Sequence, residues 1–424
     1  MIGHEVAPTR AFVIHPDMRR DDTRHAPGYA LAEAVSLAQA LPGLEVVGNE
    51  VVRLATPQPK TLFGSGKVEE LKQMFSEAET ELVLIDGRVT PVQQRNLEKA
   101  WKVKILDRTG LILEIFSDRA RTREGVLQVE MAALAYQRTR LVRAWTHLER
   151  QRGGLGFVGG PGETQIEADR RAIDEQLVRL RRQLDQVVKT RELHRAARAK
   201  VPFPIVALVG YTNAGKSTLF NHLTGADVLA KDMLFATLDP TMRRVKLDSG
   251  AEIILSDTVG FISNLPTQLV AAFRATLEEV LEADLVLHVR DISHPESEEQ
   301  KQDVEDILAD LGLPEDIPVL EVWNKIDLLP EEEAPNLIQR AIREEQVLPI
   351  SAITGQGLPE LLDEITRTLD SERHAETVTL EWSDGKRRAW AFKEGIVQAE
   401  RQTENGIELD LLWTARQAAK FRDL

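Results

Sequence analysis

Short apolar runs alternate with helical patterns along residues 1–115. Runs of consecutive apolar residues indicate buried strands, whereas apolar residues spaced three or four apart indicate helices. The predicted strands are Ala11–Ile14, Val46–Leu54, Leu82–Asp86 and Val103–Asp107, and the predicted helices are Tyr29–Leu41, Val68–Phe75 and Pro91–Trp101. This alternation is typical of a parallel sheet covered by helices, so the segment predicts a small α/β domain.

The pattern changes over residues 116–200, where apolar residues follow two helical stripes. The first stripe is Leu127, Met131, Leu134, Leu141, Trp145 and Leu148, and the second is Ile173, Leu177, Leu180, Leu184 and Val187. Steps of three and four are the coiled-coil period. Six glycines lie between the stripes, within residues 153–162, and they interrupt any continuous helix. We expect a long antiparallel helical hairpin with a glycine-rich tip; an ordinary helical connector explains the stripes equally well.

Strands and helices alternate again over residues 201–372, which predicts a second, doubly wound sheet. After Ser371 the pattern indicates hairpins: a strand at Val378–Trp382, a turn at residues 383–385, a strand at Arg388–Phe392, and Asn405-Gly406 leading into Ile407–Leu412. The predicted domains are therefore residues 1–115 (α/β), 116–200 (helical hairpin), 201–372 (doubly wound α/β) and 373–424 (small α+β).

Composition and charge narrow the class of protein. The 424 residues contain no cysteine, which excludes disulfides, cysteine-ligated metals and thiol nucleophiles. No apolar run is long enough to span a membrane and no secretory signal opens the chain, so we expect a cytoplasmic protein. The net charge of −15 is uneven, because residues 119–200 carry +8 and the remainder −23. That basic segment is either a solvated helical surface or a docking site for a polyanion.

The strongest chemical signal follows the predicted strand Ile205–Val209. The residues there form a complete phosphate-binding loop: Gly210, Tyr211, Thr212, Asn213, Ala214, Gly215, Lys216 and Ser217. Backbone N–H groups of such a loop surround the phosphates of a nucleotide. Lys216 is predicted to reach the β- and γ-phosphates, and the Ser217 hydroxyl to ligate Mg²⁺.

Two further segments complete a phosphate site. The first, Asp257, Thr258, Val259 and Gly260, ends another strand; its aspartate can hold the magnesium shell through water and its glycine amide can sense the γ-phosphate. The second, Phe235, Ala236, Thr237, Leu238 and Asp239, lies between the loop and that strand. Its Thr237 is predicted to be the second hydroxyl ligand of Mg²⁺. The predicted catalytic residues are Lys216, Thr237 and Gly260.

The base of the nucleotide is predicted to be recognised by a motif at the end of a predicted strand, Asn324, Lys325, Ile326 and Asp327. An aspartate there accepts hydrogen bonds from the N1–H and the 2-amino group of guanine, which adenine cannot offer. A second loop, Ser351, Ala352 and Ile353, is predicted to contact the guanine O6. Together these motifs predict a P-loop domain that binds GTP and GDP and hydrolyses GTP.

Two details qualify this prediction. Phe261 stands where signalling GTPases carry the glutamine that orients the attacking water, so we expect slow intrinsic hydrolysis. Gly64-Ser65-Gly66-Lys67 looks like a second phosphate loop, but it lacks the earlier glycine and the following Ser or Thr. We interpret it as a turn into a helix, with a second nucleotide site as the alternative.

Several motifs outside the generic GTPase elements resemble the HflX family of ribosome-associated GTPases. They are residues 63–70 (FGSGKVEE), 93–98 (QQRNLE), 106–109 (LDRT), 119–122 (RART) and 160–165 (GPGETQ), together with 210–217 and 235–239. The resemblance covers nearly the whole chain. It implies a P-loop GTPase domain flanked by an N-terminal α/β domain, the helical hairpin and a small C-terminal α+β domain.

The resemblance also implies a role at the ribosome. Members of this family look like GTPases that bind the large subunit and split stalled or hibernating ribosomes under stress, with the hairpin as an arm that binds rRNA. In related GTPases an asparagine at the position of Asn213 helps to hold a potassium ion, which implies K⁺ stimulation. Many members carry an arginine in the tip that is absent at Phe157-Val158-Gly159. The alternative is a GTP-gated adaptor or an assembly factor with a protein partner; a monomer suits either role.

Overall fold

The computed structural model describes residues 7–18, 25–151, 161–198, 203–226, 234–235, 237–238, 241–263, 279–344, 346–371, 373–403 and 406–422. The chain forms two compact units. The first contains residues 1–187 together with 231–239 and 262–275, and the second contains residues 188–230, 240–261 and 276–424. Two short segments that follow the phosphate loop in sequence therefore belong to the first unit.

The first unit is built on a parallel sheet of four strands in the order β2-β1-β3-β4. The strands are β1 (Thr9–Met18), β2 (Leu44–Leu54), β3 (Leu82–Ile85) and β4 (Lys104–Asp107). The helices are α1 (Pro27–Gln39), α2 (Ser65–Glu77), α3 (Pro91–Trp101) and α4 (Arg108–Arg119). The predicted α/β domain is confirmed, but the sequence pattern did not predict α4.

Aromatic residues fill the core on one face of this sheet. The ring of Phe75 lies 5.1 Å from that of Phe12 and 5.0 Å from that of Trp101, both in edge-to-face geometry. Such pairs add to the stabilisation that burial alone provides. Helix α3 begins with a capping box, in which Thr90 and Gln93 each bind the other's backbone N–H. These contacts fix the helices that precede α4.

Two long helices follow, α5 (Arg123–Gln151) and α6 (Pro161–Arg198). Arg138 Nε lies 2.8 Å from Asp174 Oδ1, and residue 156 is midway between them in sequence, as the predicted antiparallel hairpin requires. Residues 153–160 of the predicted tip lie outside the described residues. The prediction that the tip extends to residue 162 is wrong, because Pro161 and Gly162 belong to α6. Proline is well suited to the first turn of a helix, where its missing N–H costs nothing.

The second unit contains a six-stranded sheet in the order β10-β9-β8-β5-β7-β6. Its strands are β5 (Ile205–Val209), β6 (Thr241–Lys246), β7 (Glu252–Asp257), β8 (Leu285–Asp291), β9 (Val319–Asn324) and β10 (Val347–Pro349). All pairs are parallel except β6 with β7 at the edge. Because β5 lies between β7 and β8, the strand order reverses beside it. Ligands of open α/β sheets bind at the carboxyl ends of strands at such a reversal.

The helices that accompany this sheet are α7 (Lys216–Thr224), α8 (Ser297–Leu311), α9 (Ala334–Arg343) and α10 (Leu358–Ser371), with a 3₁₀ turn at Ile326–Leu328. A single buried cluster of aliphatic side chains with Phe220 fills the space between strands and helices. The predicted doubly wound domain is confirmed, with the antiparallel edge strand β6 as an addition.

The C-terminal part combines an antiparallel sheet, in the order β11-β13-β12, with two helices. The strands are β11 (Arg373–Leu380), β12 (Val397–Thr403) and β13 (Gly406–Thr414), and the helices are α11 (Gly385–Lys393) and α12 (Ala415–Arg422). The predicted strand Arg388–Phe392, and with it the first hairpin, is wrong because these residues lie in α11. Ala391 packs into the core, and Trp390 lies 5.9 Å from the ring of Phe421. Within the residues described, no helix is long and apolar enough to cross a membrane.

Candidate nucleotide site

The phosphate loop joins the end of β5 to the start of α7, and its glycines are sterically required. Gly210 has φ of +149°, and a Cβ there would lie 2.1 Å from the carbonyl oxygen of Val289. Gly215 has φ of +95°, and a Cβ there would lie 2.2 Å from Asn324 Nδ2. Any other residue would push these neighbours apart. The loop therefore lies close against the ends of β8 and β9.

Lys216 is buried at the first position of α7. Its ammonium group donates to the carbonyl oxygens of Gly210, at 3.0 Å, and Tyr211, at 2.7 Å. Burial lowers the pKa of Lys216 to about 8; Asp257 opposes this shift and Lys325 adds to it. The lysine thus lies over its own loop with a weakened preference for the charged form. A phosphate beside it would restore that preference.

The Ser217 hydroxyl donates to Asp257 Oδ2 at 2.7 Å, which brings the end of β7 against α7. A hydroxyl oxygen and a carboxylate oxygen are hard donors of the kind that Mg²⁺ uses together with phosphate oxygens and water. The predicted oxygen ligand Ser217 and the predicted outer ligand Asp257 therefore fit a magnesium ion. Thr258, the next residue, is fully buried and donates to the carbonyl oxygen of Leu208 at 2.6 Å.

Gly260 and Phe261 lie directly against the phosphate loop. The amide of Thr212 donates to the carbonyl oxygen of Phe261 at 2.6 Å. The amide of Phe261 in turn donates to the carbonyl oxygen of Gly210 at 3.1 Å. A Cβ on Gly260 would lie 2.9 Å from Thr212 Cα and 3.0 Å from Lys216 Nζ. The Phe261 ring is buried. The backbone of Phe261 thus has a structural role that its side-chain chemistry did not indicate.

Asn324 links the phosphate loop to the base-binding loop. Its Nδ2 donates to the carbonyl oxygen of Ala214 at 2.8 Å, and its Oδ1 accepts from the amide of Ala352 at 2.9 Å. The Lys325 ammonium donates to Asp291 Oδ2 at 2.7 Å. Sequence reasoning missed Asp291, although its place at the end of β8, beside the end of β9, is a signal that could have found it.

The remaining predicted base-binding residues follow β9 and β10. Asp327 is exposed in the 3₁₀ turn behind buried Ile326, and Ser351 is fully buried with its hydroxyl accepting from the Thr354 amide at 3.1 Å. Ile353 is 72% exposed. An exposed carboxylate and an exposed apolar side chain, each following one of the paired strands β9 and β10, suit a flat, polar-edged ring such as a purine base.

The structure brings the residues of the phosphate loop, 257–261, 324–327 and 351–353 together in the second unit. Phe235, Thr237 and Leu238 are buried but belong to the first unit. Ala236 and Asp239 lie outside the described residues.

Comparison with protein families identifies the class. Residues 205–325 match the family model described as 50S ribosome-binding GTPase. Residues 28–117 match the GTP-binding GTPase N-terminal model, and residues 119–198 match the middle-region model of the same proteins. The chain is therefore a GTP-binding, GTP-hydrolysing enzyme with a P-loop domain. Residues 336–423 match the HflX C-terminal domain.

Curated relatives identify the family. The chain is 50% identical to GTPase HflX of Magnetococcus marinus over 405 residues, which are 96% of this chain and 92% of that protein. It is 46% identical to GTPase HflX of Escherichia coli over 82% of each chain. It belongs to the HflX family of GTPases. A GTP-binding protein from Sulfolobus solfataricus, solved with GDP, is 24% identical with a TM-score of 0.46, covering 86% of this chain and 99% of that one.

Proposed function

We propose that this GTPase is a cytoplasmic, monomeric factor that binds the large ribosomal subunit through α5 and α6 and uses GTP hydrolysis to drive or time ribosome splitting, rescue or recycling. The observation that carries this proposal is the charge contrast between residues 119–200, at +8, and the rest of the chain, at −23. A protein with an acidic body and a basic arm, residues 119–200, is suited to bind a polyanion through the arm alone. The description of the family model that residues 205–325 match supports a 50S partner.

The arm presents arginine to solvent. Five arginines are exposed on the described part of α6: Arg170, Arg171, Arg179, Arg181 and Arg182. The guanidinium group binds phosphate in a bidentate manner and stacks on bases, which makes arginine well suited to rRNA. We therefore place the rRNA contact on this helix, in addition to the glycine-rich tip.

Co-sedimentation with purified large subunits tests this proposal. Wild-type protein should pellet with the subunits when GTP or a non-hydrolysable analogue is bound, and less at higher salt, because binding to phosphates releases counterions. The double variant Arg179→Glu with Arg182→Glu should lose most of this binding. The control Arg95→Glu with Lys99→Glu makes the same charge change on exposed positions of α3 and should bind as wild type does. Absence of co-sedimentation in every nucleotide state would instead favour an adaptor with a protein partner.

Within the second unit, Ser217 would hold Mg²⁺, and Asp257 would bind its water shell. The role of Thr237 as the second hydroxyl ligand stays a prediction from its place in the sequence. The metal neutralises charge on the β- and γ-phosphates when it is bound. Lys216 reaches the same phosphates, Asp327 recognises guanine, and the amide of Gly260 responds to the γ-phosphate. The burial of Lys216 and the 2.7 Å contact between Ser217 and Asp257 support this assignment.

The position of Asn213 supports a binding site for a second cation. It is exposed in the loop with φ of +62°, a conformation that asparagine adopts more readily than most residues. A potassium ion there would supply positive charge that the buried, apolar side chain of Phe261 cannot. GTP turnover should therefore be faster in K⁺ than in Na⁺ at equal ionic strength; equal rates would remove K⁺ from the proposal.

A further inference from the structure

Helix α4 contacts both of the short segments that flank the proposed phosphate-sensing residues. One segment, Leu234-Phe235, ends two residues before Thr237, and the other, Ile262-Ser263, begins two residues after Gly260. All of these contacts lie within the first unit. The hydrogen bonds among them are made by the first residue of α4, Arg108, and by its last residue, Arg119.

Arg119 binds the backbone before Thr237. Its Nη1 donates to the carbonyl oxygen of Leu234 at 2.6 Å and also to that of Phe235. Its Nη2 donates to the carbonyl oxygen of Ala40 at 2.8 Å, which fixes the guanidinium group against the end of α1. A charged donor held on three carbonyl oxygens restrains this backbone more strongly than neutral hydrogen bonds would.

The backbone that Arg119 holds is strained. Phe235 has φ of +55°, a left-handed conformation that is costly for an aromatic residue. Its ring is buried and packs edge-to-face on Phe116, with the centroids 4.6 Å apart. Both restraints on Phe235 therefore come from α4, one from a hydrogen bond and one from a ring contact. Strain of this kind persists only where the surroundings enforce it.

Arg108 binds the segment after Gly260 in a similar manner. Its Nη2 donates to the carbonyl oxygen of Ser263 at 2.9 Å, and to Ser263 Oγ at 3.2 Å. The same guanidinium group is paired with Asp86, at 2.6 Å, and with Glu33, at 2.5 Å. Burial alone would raise the pKa of Asp86, but Arg108 and His15 hold it below its usual range. The two carboxylates thus hold the guanidinium group of Arg108 in place.

We propose that Arg119 and Arg108 are positioning residues for GTP hydrolysis, which hold the segments beside Thr237 and Gly260 from the two ends of α4. Neither touches a nucleotide in this role; each acts through the backbone it binds. A segment already held in place loses less conformational freedom when GTP binds, so the bound state forms more readily. This inference rests on the proposed role of Thr237, but it does not depend on the ribosome.

Arg119→Ala tests the proposal most directly. It should lower kcat for GTP, and the affinity for a non-hydrolysable GTP analogue, by roughly tenfold or more, because hydrogen bonds from a charged donor are lost. The affinity for GDP should stay within about twofold, because GDP has no γ-phosphate for these segments to sense. Arg119→Lys should recover part of the loss, since an ammonium group can still donate to one or two of the carbonyls. Ser263→Ala should cause a smaller, several-fold loss.

Arg10→Ala is the matched control. Arg10 also lies in the first unit and donates to a backbone carbonyl oxygen, that of Ala78, at 3.2 Å from Nε and 3.0 Å from Nη2. It should leave kcat and both affinities unchanged. Thermal unfolding of every variant identifies loss of structure; if Arg119→Ala does not fold, Arg119→Gln, which keeps an amide donor, replaces it.

A parallel Thr237→Ala variant separates the two ideas. If Thr237→Ala lowers kcat and Arg119→Ala does not, the positioning role is wrong and the proposed site stands. If neither variant lowers kcat, the proposed role of Thr237 is wrong, and the positioning role that rests on it is wrong as well. A rise in kcat for Arg119→Ala, or an equal loss of GTP-analogue and GDP affinity, would also overturn the positioning role.

Discussion

Helices α2 and α7 both begin at a glycine–lysine sequence, but the two starts differ. Helix α2 follows Gly64-Ser65-Gly66-Lys67 in the first unit, and α7 follows the phosphate loop in the second. A Cβ added to Gly64 or Gly66 would meet no atom within 4 Å, whereas one added to Gly210 or Gly215 would collide with a neighbouring strand end. The surroundings of the glycines at the start of α2 would therefore accommodate a side chain, whereas those of the glycines before α7 would not.

The two lysines differ in the same sense. Lys67 donates to Glu50 Oε1 at 2.5 Å and to Glu70 Oε1 at 2.8 Å; although its partial burial alone would lower its pKa, these carboxylates raise it. Lys216 is held by backbone carbonyl oxygens, and burial lowers its pKa to about 8. A phosphate would have to displace carboxylates from Lys67, but only carbonyls from Lys216. The comparison shows that the partners of the lysine, more than the motif, mark a phosphate site.

The largest difference should appear in nucleotide affinity. Lys216→Ala should weaken GTP binding by roughly a hundredfold or more, because hydrogen bonds to charged groups contribute about 1.5–3 kcal/mol each. Lys67→Ala should change it by less than about twofold, since it removes only partly exposed ion pairs. Titration with a fluorescent GTP derivative measures both. Equal losses in the two variants would mean that the start of α2 also binds the nucleotide.

Replacing one glycine at each helix start by alanine, Gly215 or Gly66, should change the free energy of unfolding in opposite directions. Gly215→Ala should lower the free energy of unfolding by on the order of 2–4 kcal/mol, because it combines a positive φ with a collision. Gly66→Ala, exposed in the first turn of α2, should raise it by roughly 0.5–1 kcal/mol through helix propensity. Denaturant unfolding monitored by circular dichroism checks both. A stabilised Gly215→Ala protein would contradict the packing described for the loop.

The smallest effect is a pH dependence specific to Lys216. Its pKa of about 8 in the free protein should rise when phosphates bind, so binding takes up a proton above pH 8. Below pH 8 this group is protonated in both states and contributes no pH dependence; at pH 9 GDP affinity should be lower by up to about tenfold. Calorimetry at pH 8.5 in two buffers with different ionisation enthalpies measures the proton. A binding enthalpy independent of the buffer would rule out the effect, and Lys67→Ala should leave it unchanged.

Sequence reasoning predicted the parallel strands of the two larger sheets, but not the antiparallel edge strand β6, because the apolar runs of the parallel strands are continuous and end in turn residues. It failed at Arg388–Phe392, where a five-residue run with alternate aromatic residues fits a strand and a helix equally well. The choice was decided by packing of Ala391 in the C-terminal core, which one sequence does not show. It also missed α4, whose apolar residues are nearly continuous over Leu111–Phe116 and give no clear helical period.

Prediction of the nucleotide site was more complete, because each motif carries its own chemistry and its own place on a strand end. What it could not supply was the contacts between motifs. Asn324 joins two loops, Asp291 holds Lys325, and the backbone of Phe261 pairs with the phosphate loop. These contacts depend on which strand ends are neighbours, and that follows from the sheet order rather than from local sequence.

The central claim is that this GTPase acts on the large ribosomal subunit through its arm. The most direct test is the ratio of GTP turnover with and without purified large subunits. Wild-type protein, and the control Arg95→Glu with Lys99→Glu, should show the same clear stimulation, while Arg179→Glu with Arg182→Glu should show a ratio near one at the same subunit concentration. A wild-type ratio near one, or equal stimulation of the arm variant, would contradict the account.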